Sequence, residues 1–502
     1  MKTYINTLIC FLALSLIATS CHKDDNEDPT PIEEKDYQTV PYSFTATLTP
    51  MSDNPEGIEL KKAFANGDVI EVTNAQILYE PLVLSCTEFN GKTSATFSGE
   101  LKVKKDVDVA STLRLSAVLK NTNTKTLYNS GKPFTDVVEI SNTTDGFDQY
   151  SYWSCANIVD NKIELTQSTV FVKVNMPFGI DATIKNGQAE FSDVVLGEKY
   201  FAAANGTSIE SKTLKVSKTL NDKDKLFYTI SSTLPKDCLP GIFSISENKT
   251  VFFSKGNLQY KIDNGQDSWQ LAPQQYNTCF DVSNQNAVDL GEDYANYPLT
   301  DNWTDLFWWG AWIKELAHNR SGSNTDNYDI PIGADNCISG TCAFGAEWSV
   351  LSVDEWNYLI GTRPDANKKN GGAIVANKQG WIILPDVWNT PEGIKPFVAP
   401  YDEVKYVDDI PNHYTAEEWK QMESAGAVFL PFTGEDMFGT ACSFMDDYQT
   451  KTYKDDTHCL ISFLINQNIA ATAEDGELYG LGYYWGTPVR LIQDNNAKVQ
   501  VE

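Results

Sequence analysis

Apolar and polar positions alternate through most of the first half of the chain. YSFTATLT (42–49), DVIEVT (68–73), SATFSGELKV (94–103), STVFVKVNM (168–176), GQAEFSDVVL (187–196), SKTLKVSKTL (211–220) and KLFYTIS (225–231) all repeat with a period of two. β-branched residues fill these segments, and Asn, Gly and Asp separate them. That pattern predicts half-buried antiparallel strands. Many short strands with no helix between them predict a β-sandwich, or two in series.

The pattern changes near residue 240. SVDEWNYLIG (352–361) reads as a helix, with Ser352 as N-cap, Glu355 completing a capping box and Gly361 as its stop. TAEEWKQMESAG (415–426) repeats the design with Thr415, Glu418 and Gly426, and each helix carries one tryptophan, Trp356 or Trp419, at the same offset. GWIILP (380–385) and AVFLP (427–431) are short apolar runs ended by proline, as buried strands with sharp exits are. Two helices beside a small mixed sheet predict an α+β second half. Tryptophan marks the change too: of 12, only Trp153 precedes residue 250. A boundary is expected between residues 236 and 250, at Pro240–Gly241, with 248–502 folding alone.

A separate apolar run, LICFLALSLIA (8–18), follows Lys2 and ends in Ala18, Thr19, Ser20 and Cys21. It is shorter than the ~20 residues of a permanent membrane helix and reads as a signal. Asp24, Asp25, Glu27 and Asp28 come next and read as a solvated tether. The whole chain has 502 residues, 41% hydrophobic content and a net charge of −29, with arginine only at Arg114, Arg320, Arg363 and Arg490. Such a surface repels phosphate backbones, so no nucleic-acid partner is expected.

Small residues before a cysteine resemble a bacterial lipobox. The resemblance implies a signal over residues 1–20, acylation of Cys21, and attachment to the membrane through that lipid. Acid directly after the lipidated cysteine resembles the surface-export signal of lipoproteins of the Bacteroides group, which implies an outer-membrane, cell-surface location beyond an acidic tether over 21–40. AFANGDVIEVT (63–73) with SATFSGEL (94–101), and GEKYFAAANG (197–206) with LFYTISSTLP (226–235), resemble fimbrillin-like domains. An all-β sandwich over 41–243 and fimbrial subunits as partners are what that implies. Polymerising fimbrillins are commonly cut at an early arginine. Here the first is Arg114, inside the sandwich, which argues for an anchored, uncleaved protein.

PGIFSISENKTVFFSKGNLQY (240–260), DLFWWGAW (305–312), EWSVLSVDEWNYLIGTR (347–363), GWIILPDVWN (380–389), AGAVFLPFTG (425–434) and GTPVRLIQD (486–494) resemble, in order, a C-terminal module of secreted Bacteroidales lipoproteins. That module is similar to C-type-lectin-like domains and to formylglycine-generating enzymes, and would cover 248–495. The chain departs from it over 438–475, and YYWG (483–486) abuts PVRLIQ directly.

Catalytic chemistry finds little support. His22, His318, His413 and His458 show no metal-ligand spacing, and no nucleophile elbow, P-loop or dinucleotide fingerprint occurs. Cys442 and Cys459 are the only candidates for the reactive cysteines of the formylglycine-generating relatives, and they lack the arginine-rich surroundings. The sugar-binding calcium triplets of true lectins are absent. No cofactor or metal is expected. Cys337 and Cys342, in CISGTC, stand as either a local disulfide or two buried thiols. The expected function is adhesion or capture of a glycan or protein ligand, as a pilus anchor or tip. The alternatives are an enzyme or enzyme accessory on the formylglycine-generating fold, and a structural fimbrial subunit. Residues 301–330 mix flat aromatic faces with polar groups, and Trp303, Trp309, His318 and Arg320 are the binding candidates there.

Overall fold

The computed structural model describes residues 36–48, 63–64, 69–74, 76–85, 91–105, 107, 116–120, 136–143, 146–147, 150, 153–155, 158, 160–167, 169–221, 225–263, 266–279, 303, 305, 347–399, 410–432, 436–437, 440–441, 445–454, 457–464, 472–475 and 488–502. They are mostly β-structure arranged in several sheets.

The first region holds β1 (Tyr37–Leu48), β2 (Val69–Thr73), β3 (Leu82–Ser85), β4 (Ser94–Lys104), β5 (Ser116–Lys120), β6 (Val138–Ile140), β7 (Trp153–Cys155) and β8 (Lys162–Gln167). All but β6 form one sheet in the order β3-β2-β5-β7-β8-β1-β4, antiparallel except where β1 meets β8. Alternation sends Phe44, Ala46 and Leu48 inward to meet Phe97, Leu101 and Val103 of β4, Ile70 and Val72 of β2, and Ile163 and Leu165 of β8. Stacked Phe44 and Phe97, 5.7 Å apart, centre this core.

A second sheet is built on one long strand. β9 (Thr169–Asn186) pairs along its length with β10 (Ala189–Ala204), and its other edge is shared by β11 (Thr207–Ser211) and β13 (Phe227–Ser231). β12 (Val216–Leu220) and β6 complete it at the two edges. A bulge between Val195 and Gly197 shifts the register of β10 on β9; Gly197 has φ +78°, which favours glycine. The segment 211–220, expected as one strand, is instead the end of β11, a turn with Lys215 at φ +51°, and β12. Asp181 causes that turn. Its carboxylate accepts from Ser211 Oγ (3.0 Å), Lys212 N–H (3.1 Å) and Thr213 N–H (2.8 Å), which folds the chain back.

The second half contributes short strands: β14 (Phe243–Ser244), β15 (Thr250–Phe253), β16 (Leu258–Asp263), β17 (Gln266–Leu271), β18 (Trp348–Ser349), β19 (Asn370–Val375), β20 (Lys378–Ile383), β21 (His413–Tyr414), β22 (Val428–Pro431), β23 (Asp436–Met437), β24 (Thr440–Ala441), β25 (Met445–Lys454), β26 (Thr457–Leu464), β27 (Thr472–Asp475), β28 (Ile492–Asp494) and β29 (Gln500–Val501). Two four-stranded sheets, β14-β15-β28-β18 and β21-β19-β20-β22, sit beside α1 (Val353–Asn357) and α2 (Ala416–Ser424). Gly380 is required where β20 meets β22, because a Cβ there would strike Leu430 O and the Phe429 ring.

Packing crosses the boundary expected at 236–250. Val172, Val174, Phe178 and Ile180 of β9 share one core with Phe252, Leu258, Tyr260, Trp348, Val350, Val489 and Leu491 of the second half. The Phe178 and Phe252 rings lie 5.2 Å apart. β29 pairs with β13, Ile230 opposite Val501, and Thr229 and Glu502 exchange both backbone hydrogen bonds at 2.8 and 2.9 Å.

Both capping boxes form as the sequence predicts, at Ser352–Glu355 and Thr415–Glu418. Gly426, at φ +100°, ends α2, and Ala427 N–H closes back on Met422 O at 3.0 Å. Gly361 does not end α1. The chain winds on as a π-turn over Tyr358–Thr362, closed by Arg363 N–H on Tyr358 O at 2.8 Å. Two buried anchors explain the wider turn. Leu359 and Ile360 are sunk in the core, and the Arg363 guanidinium donates to Asp386 Oδ1 (2.8 Å) and Leu384 O (2.7 Å).

Arg490 is the second buried arginine. Its guanidinium donates to Ser254 O (3.2 Å), Gln275 Oε1 (3.0 Å) and Phe429 O. Gln275 acts as a piece of missing strand: its amide donates to Ala427 O (3.0 Å) and accepts from Phe429 N–H (2.8 Å). Burial pushes the Arg490 pKa down to about 10, against the weaker pull of Tyr448 and Glu423.

Candidate functional site

A solvent-open cleft of about 260 Å³ lies where the second sheet meets the second half. Three chain turns wall it. The first is Thr213–Lys215, held by Asp181 and by Leu214 N–H donating to Ser211 Oγ at 3.2 Å. The second is the β14–β15 hairpin turn, closed by Ile245 N–H on Lys249 O at 2.9 Å. The third is Asp494–Ala497. Asn495 binds Thr250 through both backbone (2.9 Å) and side chain (3.1 Å), then caps Ala497 N–H at 3.1 Å.

The polar groups of the cleft divide into two sets. Lys249 is committed, to Asp494 at 2.9 Å and Glu355 at 3.4 Å. Burial opposes its charge, but those carboxylates outweigh it and raise its pKa. Glu355 is pushed up by burial, yet Lys451 at 2.6 Å and the Ser352 N–H hold its carboxyl below the usual range. Lys215, Asn248 and Asn496, by contrast, are exposed and make no side-chain hydrogen bond among the described residues. An ammonium brings three donors, and each amide brings two donors and an acceptor. Converging, uncommitted groups of this kind in a concave site suit a hydroxyl-rich ligand. The volume lies just under the ~300–1,000 Å³ of sites for drug-sized molecules, so one sugar ring or one side chain fits.

Of the aromatic stretch 301–330, the described residues are Trp303 and Asp305. Trp303 is half-buried, with Lys261 Nζ 5.0 Å from its ring centre. Asp305 is buried and accepts from Cys279 N–H at 2.6 Å. Trp309, His318 and Arg320 lie outside the described residues, as do Cys21, Cys337, Cys342 and Cys442. Cys459 is on β26 opposite Asp475. Trp348, Trp356, Trp381 and Trp419 are core, while Trp269 and Trp388 are partly buried. The thiols of Cys238 and Cys279 are both raised, chiefly by burial, Cys238 to about 12. Each therefore stays protonated at neutral pH.

Sequence reasoning missed the cleft. Its one legible trace is the polar run DNNAK (494–498) after the last apolar strand, which reads equally well as an ordinary loop.

No family model matches the chain, and no curated protein matches it. Among solved structures, a fimbrial assembly protein from Parabacteroides distasonis aligns over its whole length with 46% of this chain, at 6% identity and a TM-score of 0.19. The major pilin T-13 of Streptococcus pyogenes aligns over 94% of its length with 47% of this chain, at 9% identity and a TM-score of 0.12. At those scores neither likeness carries fold or function.

Proposed function

We propose that the protein is a lipid-anchored surface protein of the outer membrane that captures a glycan or protein ligand without catalysis, with a fimbrillin-like first region and a C-type-lectin-like second one. Fimbrial subunits are the assembly partners this reading implies. The observation that supports it is the cleft, which Lys215, Asn248 and Asn496 line with polar side chains that make no hydrogen bond among the described residues. A rigid β-scaffold presenting binding groups on turns is the usual architecture of recognition.

The test is a glycan and extracellular-protein array probed with the full chain, followed by the Lys215→Ala/Asn248→Ala/Asn496→Ala variant. Each lost hydrogen bond is worth about 0.5–1.5 kcal/mol, so affinity is expected to fall by tenfold or more. The melting temperature should hold, because the groups removed support nothing else. Full affinity in the triple variant would place the site elsewhere.

The anchor has its own test. The basis is the apolar run ending in ATSC at Cys21. Cys21→Ser is expected to move the protein from the detergent to the aqueous phase in Triton X-114 partitioning. A variant still found with the detergent shows attachment by another route; among the described residues no helix is long and apolar enough to cross a membrane.

A further inference from the structure

The first sheet carries a second, unrelated surface feature. β4 is the last strand of that sheet, and the turn 76–80 covers part of its outer edge: Tyr79 N–H donates to Lys102 O (2.7 Å), and Lys104 N–H donates to Ile77 O (2.9 Å). Tyr79 is thereby set beside Lys102. On the inner edge of β4, β1 places Tyr37 opposite Lys104, so Tyr37 and Lys102 share the outward face. The outcome is a layered stack. The rings of Tyr37 and Tyr79 are 5.0 Å apart and tilted by 35°, and Lys102 Nζ is 5.1 Å from the Tyr37 ring centre. Lys102 is in turn paired with Glu80 at 2.5 Å.

Tyr79 is half-exposed, at 50%, one of few large apolar side chains so open among the described residues. Beyond the stack the same face continues as hydroxyls, with Thr39, Ser43 and Thr45 on β1 beside Ser98 and Thr96 on β4. Thr45 and Thr96 stand 3.4 Å apart, oxygen to oxygen. The inward-facing residues of these strands fill the core, which leaves this face to the surface.

We propose that the Tyr37–Tyr79 stack is a platform for a neutral hexose ring. The apolar C–H face of a pyranose matches a flat aromatic face, and Tyr combines such a face with a polar tip. Lys102 and Glu80 stand at the rim as a donor and an acceptor for ring hydroxyls. Lys102 with Glu80, and Lys104 with Glu100, balance on this face, while the chain as a whole carries −29, so a phosphorylated or sulfated ligand is disfavoured. The exposed apolar area amounts to about one ring, which a single pyranose covers and which is small beside the ~1,000 Å² that a stable protein interface buries.

The experiment is saturation-transfer-difference NMR on the full chain in mild detergent, with cellohexaose, laminarihexaose, maltohexaose and chitohexaose as probes and isothermal titration for affinity. At least one probe is expected to bind. Tyr79→Ala should weaken it about tenfold or more, as loss of an aromatic hot spot does. Tyr79→Phe should keep most of the affinity, because the ring face and not the hydroxyl makes the contact. The triple cleft variant should bind as wild type does, which separates this site from the cleft. The proposal is overturned if no probe binds, or if Tyr79→Ala lowers only the melting temperature and leaves affinity intact.

Discussion

Residues 248–502 expressed alone are expected to give a molten or insoluble product, although the sequence reads as if they formed a free-standing domain. The reason is the shared core. Removing the first half strips β9 from Phe252, Leu258, Tyr260, Trp348, Val350, Val489 and Leu491. Each large apolar side chain contributes about 1.5–3 kcal/mol when fully covered. A domain's whole stability is about 5–15 kcal/mol, so uncovering half of that set suffices to unfold it. A fragment beginning at Lys236 separates two causes. It restores Leu239, β14 and Ile245, which pack with the other core of the second half, yet still lacks β9. It should also bind the dye ANS and melt without cooperativity. A sharp melt and native near-ultraviolet dichroism for either fragment would show that the β9 contact is dispensable.

Arg490→Lys is expected to destabilise the protein more than Arg490→Met, against the usual ranking of conservative changes. Among the described residues no carboxylate stands within ion-pair distance of Arg490, and its bonds go to neutral oxygens of Ser254, Gln275 and Phe429. Methionine removes a buried charge and leaves two carbonyls unpaired, at about 1–3 kcal/mol each. Gln275 Oε1 keeps its bond from Phe429 N–H. Lysine keeps a charge in the same dry place on a shorter reach, without the fork that spans separate acceptors, and a poorly paired buried charge costs about 3–5 kcal/mol. Urea denaturation of the three proteins decides it. A lysine variant within 1 kcal/mol of wild type, or less damaged than the methionine variant, would mean that water or another group reaches the site.

What the sequence discloses is what local physics decides. The cap of α2 needs Thr415, Glu418 and Gly426 within twelve positions of one another, and all three act as read. The alternation of β1 and β4 reports which side is buried, whereas the start of β9 buries both faces, Val170 and Val172 in one core and Phe171 in another. Gly361 misleads because the decision lies elsewhere, in Arg363 reaching Asp386 and Leu384 across the core. The tryptophan boundary marks a change of composition, and β9 shares a core with apolar residues beyond it. The cleft could not be read at all, since its walls come from positions near 214, 249 and 495, and none carries a motif. For the aromatic stretch the comparison extends to Trp303 alone, which is half-buried and not a bare platform.

The pairing of β29 with β13 also sets an order of events. The first sheet draws its core from residues between Phe44 and Leu165, so it can close as soon as that length has been made. The second sheet takes its first strand, β6, from Val138–Ile140 but receives its last at Val501, more than 300 residues later. Contacts of such long range are slow to form, because loop closure comes before any reward from pairing. Until the last residues of the chain are available, the edge of β13 and the apolar side of β9 therefore wait uncovered. A chaperone that holds extended apolar strands should act on this segment, and a chain cut after residue 231 should aggregate more than one cut before residue 169.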